Sequence, residues 1–266
     1  MKLLVISLLA MGLVSCTTST EKEETTTLFK NKGHELVVKL SEKVGEYQKL
    51  RNKHDVIYTY RYETPDGKVD VSTEKYMFDG ELSYGEYRQH ERTFPEMEGT
   101  VEMAYDGNDY WLKNNGVLIT DSAKIDVVKF KRPTNFYWFA MFQKLLNPGV
   151  NYEYLGEEKS NDQEYDIVKI TFDSKNGNPT DIYQLYINRE TMLVDHFLFT
   201  VVDYGVVDTP FLMELEYEEI DGLLIPTKRR YKKSTWDAKL TDEPWILVNW
   251  TNIKFDNGLT PKDFER

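Results

Sequence analysis

Large apolar residues are concentrated in residues 133–149, PTNFYWFAMFQKLLNPG, and their arrangement predicts a helix at the centre of the chain. Thr134 is a good N-cap because its hydroxyl can accept from a backbone N–H of the first turn, and Pro133 discourages an earlier helix from continuing through it. Residues 147–149, Asn-Pro-Gly, form a stop signal. Because apolar side chains cover almost the whole circumference, this helix should be buried on more than one side. They are Phe136, Tyr137, Trp138, Phe139, Met141, Phe142, Leu145 and Leu146.

Two interpretations of this helix stay open from the sequence. It is either a core helix packed against a sheet, or a helix that lines or closes a cavity for an apolar ligand. Because ligand pockets are few per protein, the pattern alone favours the core helix. If there is a cavity, one stripe of the helix should serve folding and the neighbouring stripe should bind the ligand. The two stripes are Phe139, Phe142 and Leu146, and Trp138, Met141 and Leu145.

The remaining pattern predicts two further helices and a long antiparallel meander. Apolar residues at three- and four-residue spacing predict an amphipathic helix over residues 28–52, and residues 122–131 predict a short helix before the central one. Elsewhere the apolar period is two, with Gly, Asn and Asp marking the turns. The predicted strands are residues 56–63, 69–79, 82–90, 100–105, 110–113, 117–120, 152–157, 164–172, 182–188, 193–202, 211–220, 228–233 and 246–255. The fold class is therefore mainly β with helices, an α+β arrangement.

Residues 211–220 show the clearest alternation of all the predicted strands. Glutamates occupy one face, and the other face is apolar, which is typical of a strand between water and an apolar interior. The apolar face is predicted to contribute to ligand binding together with the central helix. Its residues are Phe211, Met213, Leu215 and Tyr217.

The first residues follow the pattern of a bacterial lipoprotein signal peptide. Lys2 supplies a positive charge, and the apolar run over residues 3–14 is shorter than the roughly 20 residues that a membrane-spanning helix needs. The run ends in Leu-Val-Ser-Cys, which resembles the lipobox. By this resemblance residues 1–15 are removed, and Cys16 becomes the first mature residue and carries the acyl chains that attach the protein to a membrane.

The chain is predicted to contain one folded domain behind this anchor. Residues 16–27 are a flexible acidic tether, and residues 28–266 form a single β-rich domain. Because Thr17 is not an aspartate, the chain resembles lipoproteins that are sorted to the outer membrane and face the periplasm. The acidic residues of the tether resemble surface-export signals, which makes the cell surface the alternative location, although a solvated linker is the simpler interpretation.

Composition and motif spacing argue against several classes of function. The net charge of −12 argues against nucleic acid as a partner. One cysteine cannot form an internal disulfide, and the four histidines are scattered without the spacing of metal ligands. There is no phosphate-binding loop, dinucleotide fingerprint or singled-out pair of carboxylates. No catalytic residue, metal, cofactor or enzymatic activity is therefore predicted.

The segment KRRYKK, residues 228–233, is unusually basic for an acidic chain. Arg229, Arg230 and Lys232 are predicted to contact anionic lipid head groups, because cations near such head groups gain about 1 kcal/mol each. The simpler alternative is a charged strand at the edge of a sheet, where charges prevent edge-to-edge pairing. The sequence alone favours the edge strand.

Several short sequence motifs resemble motifs of the LolA/LolB group of lipoprotein-localisation carriers. They are YDGNDYW at residues 105–111, LYINRET at residues 185–191 and DGLLIP at residues 221–226. The order of helix, meander, inserted helices and further meander is also similar, over about residues 29–264. The resemblance implies an incomplete antiparallel β-barrel, or half-barrel, covered by helices around an apolar cavity that holds acyl chains. The chain looks closer still to uncharacterised Gram-negative lipoproteins of this fold.

The predicted function is therefore non-enzymatic binding of a lipid or another apolar ligand by an outer-membrane lipoprotein. The acylated Cys16 makes the chain resemble the membrane-bound acceptor of the group, which uses an exposed leucine on a protruding loop; Leu240 is the candidate here. The alternative is an interaction lipoprotein with a filled core that binds an envelope protein. The two differ in whether the concave face of the sheet encloses an empty cavity.

Overall fold

The computed structural model describes residues 29–160, 162–174 and 177–266. The predicted signal peptide, Cys16 and the predicted tether lie outside these residues. In the described part of the chain, three α-helices and thirteen strands form one unit around a single sheet.

The predicted N-terminal helix is divided into two. Helix α1 spans Lys32–Val44 and helix α2 spans Tyr47–Arg51. The side chain of Asn31 caps α1 by accepting from the backbone N–H of His34 at 2.9 Å. The single helix predicted for residues 28–52 is interrupted at Gly45, which has a positive φ of 95°. Residues with a Cβ rarely adopt a positive φ, whereas glycine adopts it readily and often ends a helix.

The central helix is much longer than predicted. Helix α3 spans Ser122–Lys144, with Pro133 in its interior, so the predicted start at Thr134 is wrong. The N-cap is Asp121, whose side chain accepts from the backbone N–H of Lys124 at 3.1 Å. An interior proline costs a helix about 3 kcal/mol, and tertiary contacts on both sides of Pro133 offset it. The predicted end near residues 147–149 is confirmed, since α3 stops at Lys144.

The strands form one open antiparallel sheet in the described residues, in the order β6-β5-β4-β3-β2-β1-β13-β12-β11-β10-β9-β8-β7. Strands β1 to β6 run outward from the centre to one edge, and β7 to β13 return from the other edge after α3. Pairing of β1 with β13 joins the two halves. The strands are β1 Asp55–Glu63, β2 Val69–Met77, β3 Leu82–His90, β4 Val101–Tyr105, β5 Tyr110–Asn114, β6 Val117–Ile119, β7 Val150–Ser160, β8 Gln163–Phe172, β9 Tyr183–Asn188, β10 Val194–Val201, β11 Val206–Ile220, β12 Leu223–Lys233 and β13 Ile246–Phe255.

The predicted meander is confirmed strand by strand, and the main differences are in strand length. Strand β7, Val150–Ser160, extends beyond both ends of its prediction. Strand β11 starts at Val206 and β12 starts at Leu223, both earlier than predicted. Pro226 lies inside β12, where a strand interior normally excludes proline. It pairs with Tyr217 beside an irregularity in the register of β11 and β12, and such bulges tolerate a residue that donates no hydrogen bond.

Helix α3 is buried by two separate groups of side chains. Phe139 packs between Tyr58 and Trp250, with ring centroids 5.2 and 5.3 Å apart. Further along, Phe142 and Leu145 join a cluster that contains the apolar face of α1 and residues of β7 to β11. Burying each such side chain contributes about 1.5–3 kcal/mol, so these contacts fix the helix on the sheet.

Among the described residues, no helix has both the length and the mean hydropathy needed to cross a bilayer.

Candidate functional site

A cavity of about 400 Å³ lies between the middle of α3 and the central strands of the sheet. The wall formed by the sheet comes from the consecutive strands β10, β11, β12 and β13 and from β1, which is distant from them in sequence. Aromatic and aliphatic side chains make up most of this wall. They are Tyr60, Tyr62, Phe199, Val201, Val206, Phe211, Met213, Tyr231, Ile246, Val248 and Trp250, with Tyr204 from the β10–β11 connection.

The face of α3 that borders the cavity is its more polar one. Phe130, Lys131, Thr134, Asn135 and Trp138 follow one another at helical spacing along this face. The more apolar faces are packed into the core, where their burial gains more free energy. Of the six residues in the two stripes predicted on this helix, only Trp138 lines the cavity.

The predicted binding residues of α3 are therefore mostly elsewhere. Trp138 lines the cavity, with its ring 5.2 Å from that of Phe199. Leu146 is 37% exposed beyond the end of the helix. The other five are buried in the core and do not border the cavity; they are Phe136, Phe139, Met141, Phe142 and Leu145.

The predicted apolar face of β11 is divided in the same way. Phe211 and Met213 line the cavity. Leu215 and Tyr217 lie further along the strand and pack against the core cluster of α1 and α3. The hydroxyl of Tyr217 donates to the backbone oxygen of Val194 at 3.0 Å, which ties it to β10. Only the first half of this face is therefore available to a ligand.

The basic strand does not lie at a sheet edge, because β12 pairs with both β11 and β13. The edge-strand explanation is therefore wrong. Successive side chains of a strand point to opposite faces, so Arg229 lines the cavity while Arg230 and Lys232 lie on the other side. Arg230 pairs with Glu214 at 2.6 Å, and Lys232 donates to the backbone oxygen of Thr241 at 2.6 Å. The three residues predicted to contact head groups thus do not form one patch.

Arg229 is a buried cation in the cavity wall, and only 6% of it is exposed. Its guanidinium donates to the backbone oxygens of Trp138 at 2.9 Å and Pro226 at 3.1 Å, and it stacks 3.8 Å from the centre of the Trp250 ring. Burial lowers the pKa of Arg229 to about 10, which leaves it charged at neutral pH. The contact with Trp138 also links β12 directly to α3.

Two further cations border the cavity. Arg92 lies 3.9 Å above the ring of Tyr62 and pairs with Asp70 at 3.5 Å. Lys131, on α3, is half-buried, and in the described part of the chain it has neither a hydrogen-bond acceptor nor a carboxylate partner. Burial, and next the positive charge of Arg92, lower the pKa of Lys131 to about 8. Lys131 and Arg92 are therefore close enough to repel each other.

The neutral polar groups of the cavity are mainly aromatic. The hydroxyls of Tyr62 and Tyr231 form a hydrogen bond with each other. Burial raises the pKa of Tyr60 and Tyr231 well above the usual range, so both phenols stay neutral. The indole nitrogen of Trp250 is buried without an acceptor among the described residues.

Sequence reasoning missed most of the residues that form the cavity. The sequence assigns Lys131 to a separate short helix, because Pro133 predicts a break before the central helix. Tyr60, Arg92 and Trp250 lie far apart in sequence, and only the pairing of β1 with β13 brings two of them together. No local pattern could have grouped them. In the described residues no three His, Cys, Asp or Glu side chains are placed to hold a metal ion.

Solved structures of low sequence identity share this architecture. The crystal structure of a LolA superfamily protein from Nitrosomonas europaea superposes with a TM-score of 0.51 at 14% identity, covering 88% of this chain and 97% of that one. An outer-membrane lipoprotein-sorting protein domain from Vibrio parahaemolyticus superposes with a TM-score of 0.50 at 12% identity, covering 88% and 96%.

Sequence comparison adds a family without a known activity. Residues 96–211 match the model of DUF6503, a family of unknown function. No curated protein matches the chain significantly. The predicted resemblance to the LolA group is confirmed at the level of the fold: the chain has a LolA-like fold, built on an open antiparallel sheet.

Proposed function

We propose that this protein is an outer-membrane-anchored lipoprotein that binds a lipid or another apolar ligand without catalysing a reaction. The observation that carries the proposal is the cavity between α3 and the sheet. Its volume of about 400 Å³ falls in the range of roughly 300–1,000 Å³ that is usual for small-molecule sites. Its wall combines a large apolar area with a few polar groups, as such sites do.

The shape proposed for the binding domain is a half-barrel covered by helices. The open sheet has two unpaired edges, β6 and β7, in the described residues. Helix α3 contacts strands from both halves of the sheet, through Phe139 on one side and Phe142 on the other. A sheet that curves around α3 would place the cavity on its concave side. The name of the Vibrio domain, a lipoprotein-sorting protein, supports an envelope location.

A second candidate is an interaction protein that binds another envelope protein, and a feature of the outer face favours it. Leu240 is 65% exposed and Leu247 is 38% exposed. Both line a depression of about 440 Å³ on the face of the sheet opposite the cavity. Exposed apolar groups that lie together are typical of protein-binding surfaces. The cavity against α3 nevertheless argues against the filled core that this alternative assumed.

The binding proposal can be tested by filling the cavity. Val206 lines it, and the adjacent Val207 is exposed and does not. In Val206→Trp the indole should occupy the cavity and reduce binding of the neutral fluorescent probe N-phenyl-1-naphthylamine by about tenfold, as expected for the loss of an apolar site. Titration of probe fluorescence measures the effect.

Val207→Trp is the matched control, because it adds the same side chain to the opposite face of β11. It should bind the probe as the wild type does. The proposed binding function would be ruled out by a wild-type protein that takes up no probe, or by equal effects of the two substitutions on uptake.

A further inference from the structure

The charges that border the cavity are all of one sign. Lys131, Arg92 and Arg229 line it, and no aspartate or glutamate is among its lining residues in the described part of the chain. The whole chain has the opposite balance, with 45 acidic and 33 basic residues. Three cationic side chains in the wall would not strengthen the binding of a purely apolar ligand.

The three cations differ in how well the protein itself satisfies them. Arg229 has two backbone oxygens and the face of Trp250. Arg92 has the carboxylate of Asp70, which also accepts from the backbone N–H of Arg92 at 2.8 Å. Lys131 has no acceptor among the described residues; its ammonium lies 5.9 Å from the centre of the Tyr87 ring. A half-buried cation without a counterion is costly, so Lys131 is the group that a ligand could stabilise most.

The position of Lys131 also suits the head of an amphiphile. Lys131 and Arg92 are both partly exposed, and Trp138, Phe211 and Met213 contribute apolar wall to the same cavity. Burial, and next the positive charge of Arg92, lower the pKa of Lys131, and an anion in the cavity that both residues line would offset both effects. Arg229 adds positive potential from the opposite wall.

We propose that the cavity binds an amphiphile with one anionic head group, a carboxylate or a phosphate, held by Lys131 and Arg92, with its acyl chain against Trp138 and Phe211. This inference rests on the proposed function, because it assigns the class of ligand to the same cavity. The ammonium of Lys131 and the guanidinium of Arg92 donate to the head-group oxygens, and such charge-assisted hydrogen bonds are stronger than neutral ones.

The test compares two probes with the same chain and different heads, cis-parinaric acid and its methyl ester, on the purified full-length protein at pH 7. The acid should bind at least about tenfold more tightly than the ester, as expected for charge-assisted hydrogen bonds. Lys131→Met should weaken binding of the acid by about tenfold and leave binding of the ester unchanged. Fluorescence titration gives both dissociation constants.

Lys129→Met is the matched control, because Lys129 lies on the same helix, is exposed and pairs with Asp126 at 2.8 Å rather than bordering the cavity. It should change neither constant. Equal binding of acid and ester by the wild type would overturn the anionic-head proposal while leaving apolar binding intact. Equal weakening of acid and ester by Lys131→Met would also overturn it, since Lys131 would then support only the cavity's shape. Absence of binding for both probes would overturn the proposed function as well.

A competition experiment distinguishes the two head groups. The competitors are dodecanoate, dodecyl phosphate and dodecanol, and each is titrated against parinarate bound to the wild-type protein. Stronger displacement by either anion than by dodecanol supports the proposal, and the stronger of the two anions identifies the head group. If dodecanol displaces the probe as well as both anions do, the charge of the head has no role and the proposal is wrong.

Discussion

The side chains of Arg132 and Glu74 form an ion pair that is completely removed from water, with 2.9 Å between a guanidinium nitrogen and a carboxylate oxygen. Ser72 donates to the same carboxylate at 2.7 Å and Tyr76 at 3.1 Å. Gly85 packs against the pair, and a Cβ at this position would come within 2.6 Å of the guanidinium of Arg132. This network fixes α3 to β2 and β3 at the residue that precedes Pro133, and it therefore supports a continuous helix.

Removing one member of this pair should destabilise the protein strongly. Arg132→Met leaves Glu74 charged and buried without a partner, which should cost about 3–5 kcal/mol of the free energy of unfolding. Urea denaturation followed by tryptophan fluorescence measures the loss. The double variant Arg132→Met with Glu74→Leu should recover most of it, because neither charge then remains buried.

The control for the ion pair is Arg88→Met on β3. Arg88 is exposed and pairs with Glu86 at 2.7 Å, so its loss should change stability by less than about 1 kcal/mol. If the double variant is no more stable than Arg132→Met, the cost comes from lost packing rather than from an uncompensated charge.

At the scale of elements, the strands could be predicted from the sequence far better than the helices. Alternation along each strand and turn residues between strands are local signals, and they located all thirteen strands of the described part. The extent of α3 was missed, because Pro133 is a local stop signal that the buried pair of Arg132 and Glu74 overrides. A cavity beside the central helix is predicted from the sequence, and Trp138, Phe211 and Met213 do line it. Lys131 is missed as a lining residue, because it precedes Pro133 and the sequence assigns it to another helix.

Packing differences along α3 predict a graded response to alanine substitution. Phe139→Ala should cost about 3–5 kcal/mol, since it leaves a hole between Tyr58 and Trp250. Leu146→Ala should change stability by less than about 0.5 kcal/mol, because the side chain is exposed. Trp138→Ala should weaken probe uptake in addition to lowering stability, since its ring borders the cavity.

Urea denaturation gives the three stabilities, and probe titration gives uptake for the same variants. Similar losses of stability at Phe139 and Leu146 would contradict the burial of α3 described above. Unchanged uptake by Trp138→Ala, under conditions in which it is folded, would remove α3 from the binding site.

At the scale of the whole molecule, the described domain begins with a segment that is fastened to the sheet. Asn31 donates from its side-chain amide to the backbone oxygen of Tyr152 on β7 at 2.9 Å, and the apolar face of α1 is buried against β7 and β8. All the strands and cavity-lining residues described above come after position 29. We therefore expect membrane attachment and ligand binding to be separable properties of the chain.

The last prediction tests this separation through Cys16, which lies outside the described residues. Mass spectrometry of the wild-type protein should show an N-terminal residue at Cys16 that carries acyl chains, since two or more chains give stable anchoring. Cys16→Ser should lose the chains and leave the membrane fraction, while the cavity, built from residues after position 29, should bind the apolar probe with unchanged affinity. An unmodified Cys16 in wild-type protein would refute the lipoprotein anchor. Loss of probe binding in Cys16→Ser would show instead that the attached chains themselves occupy or support the cavity.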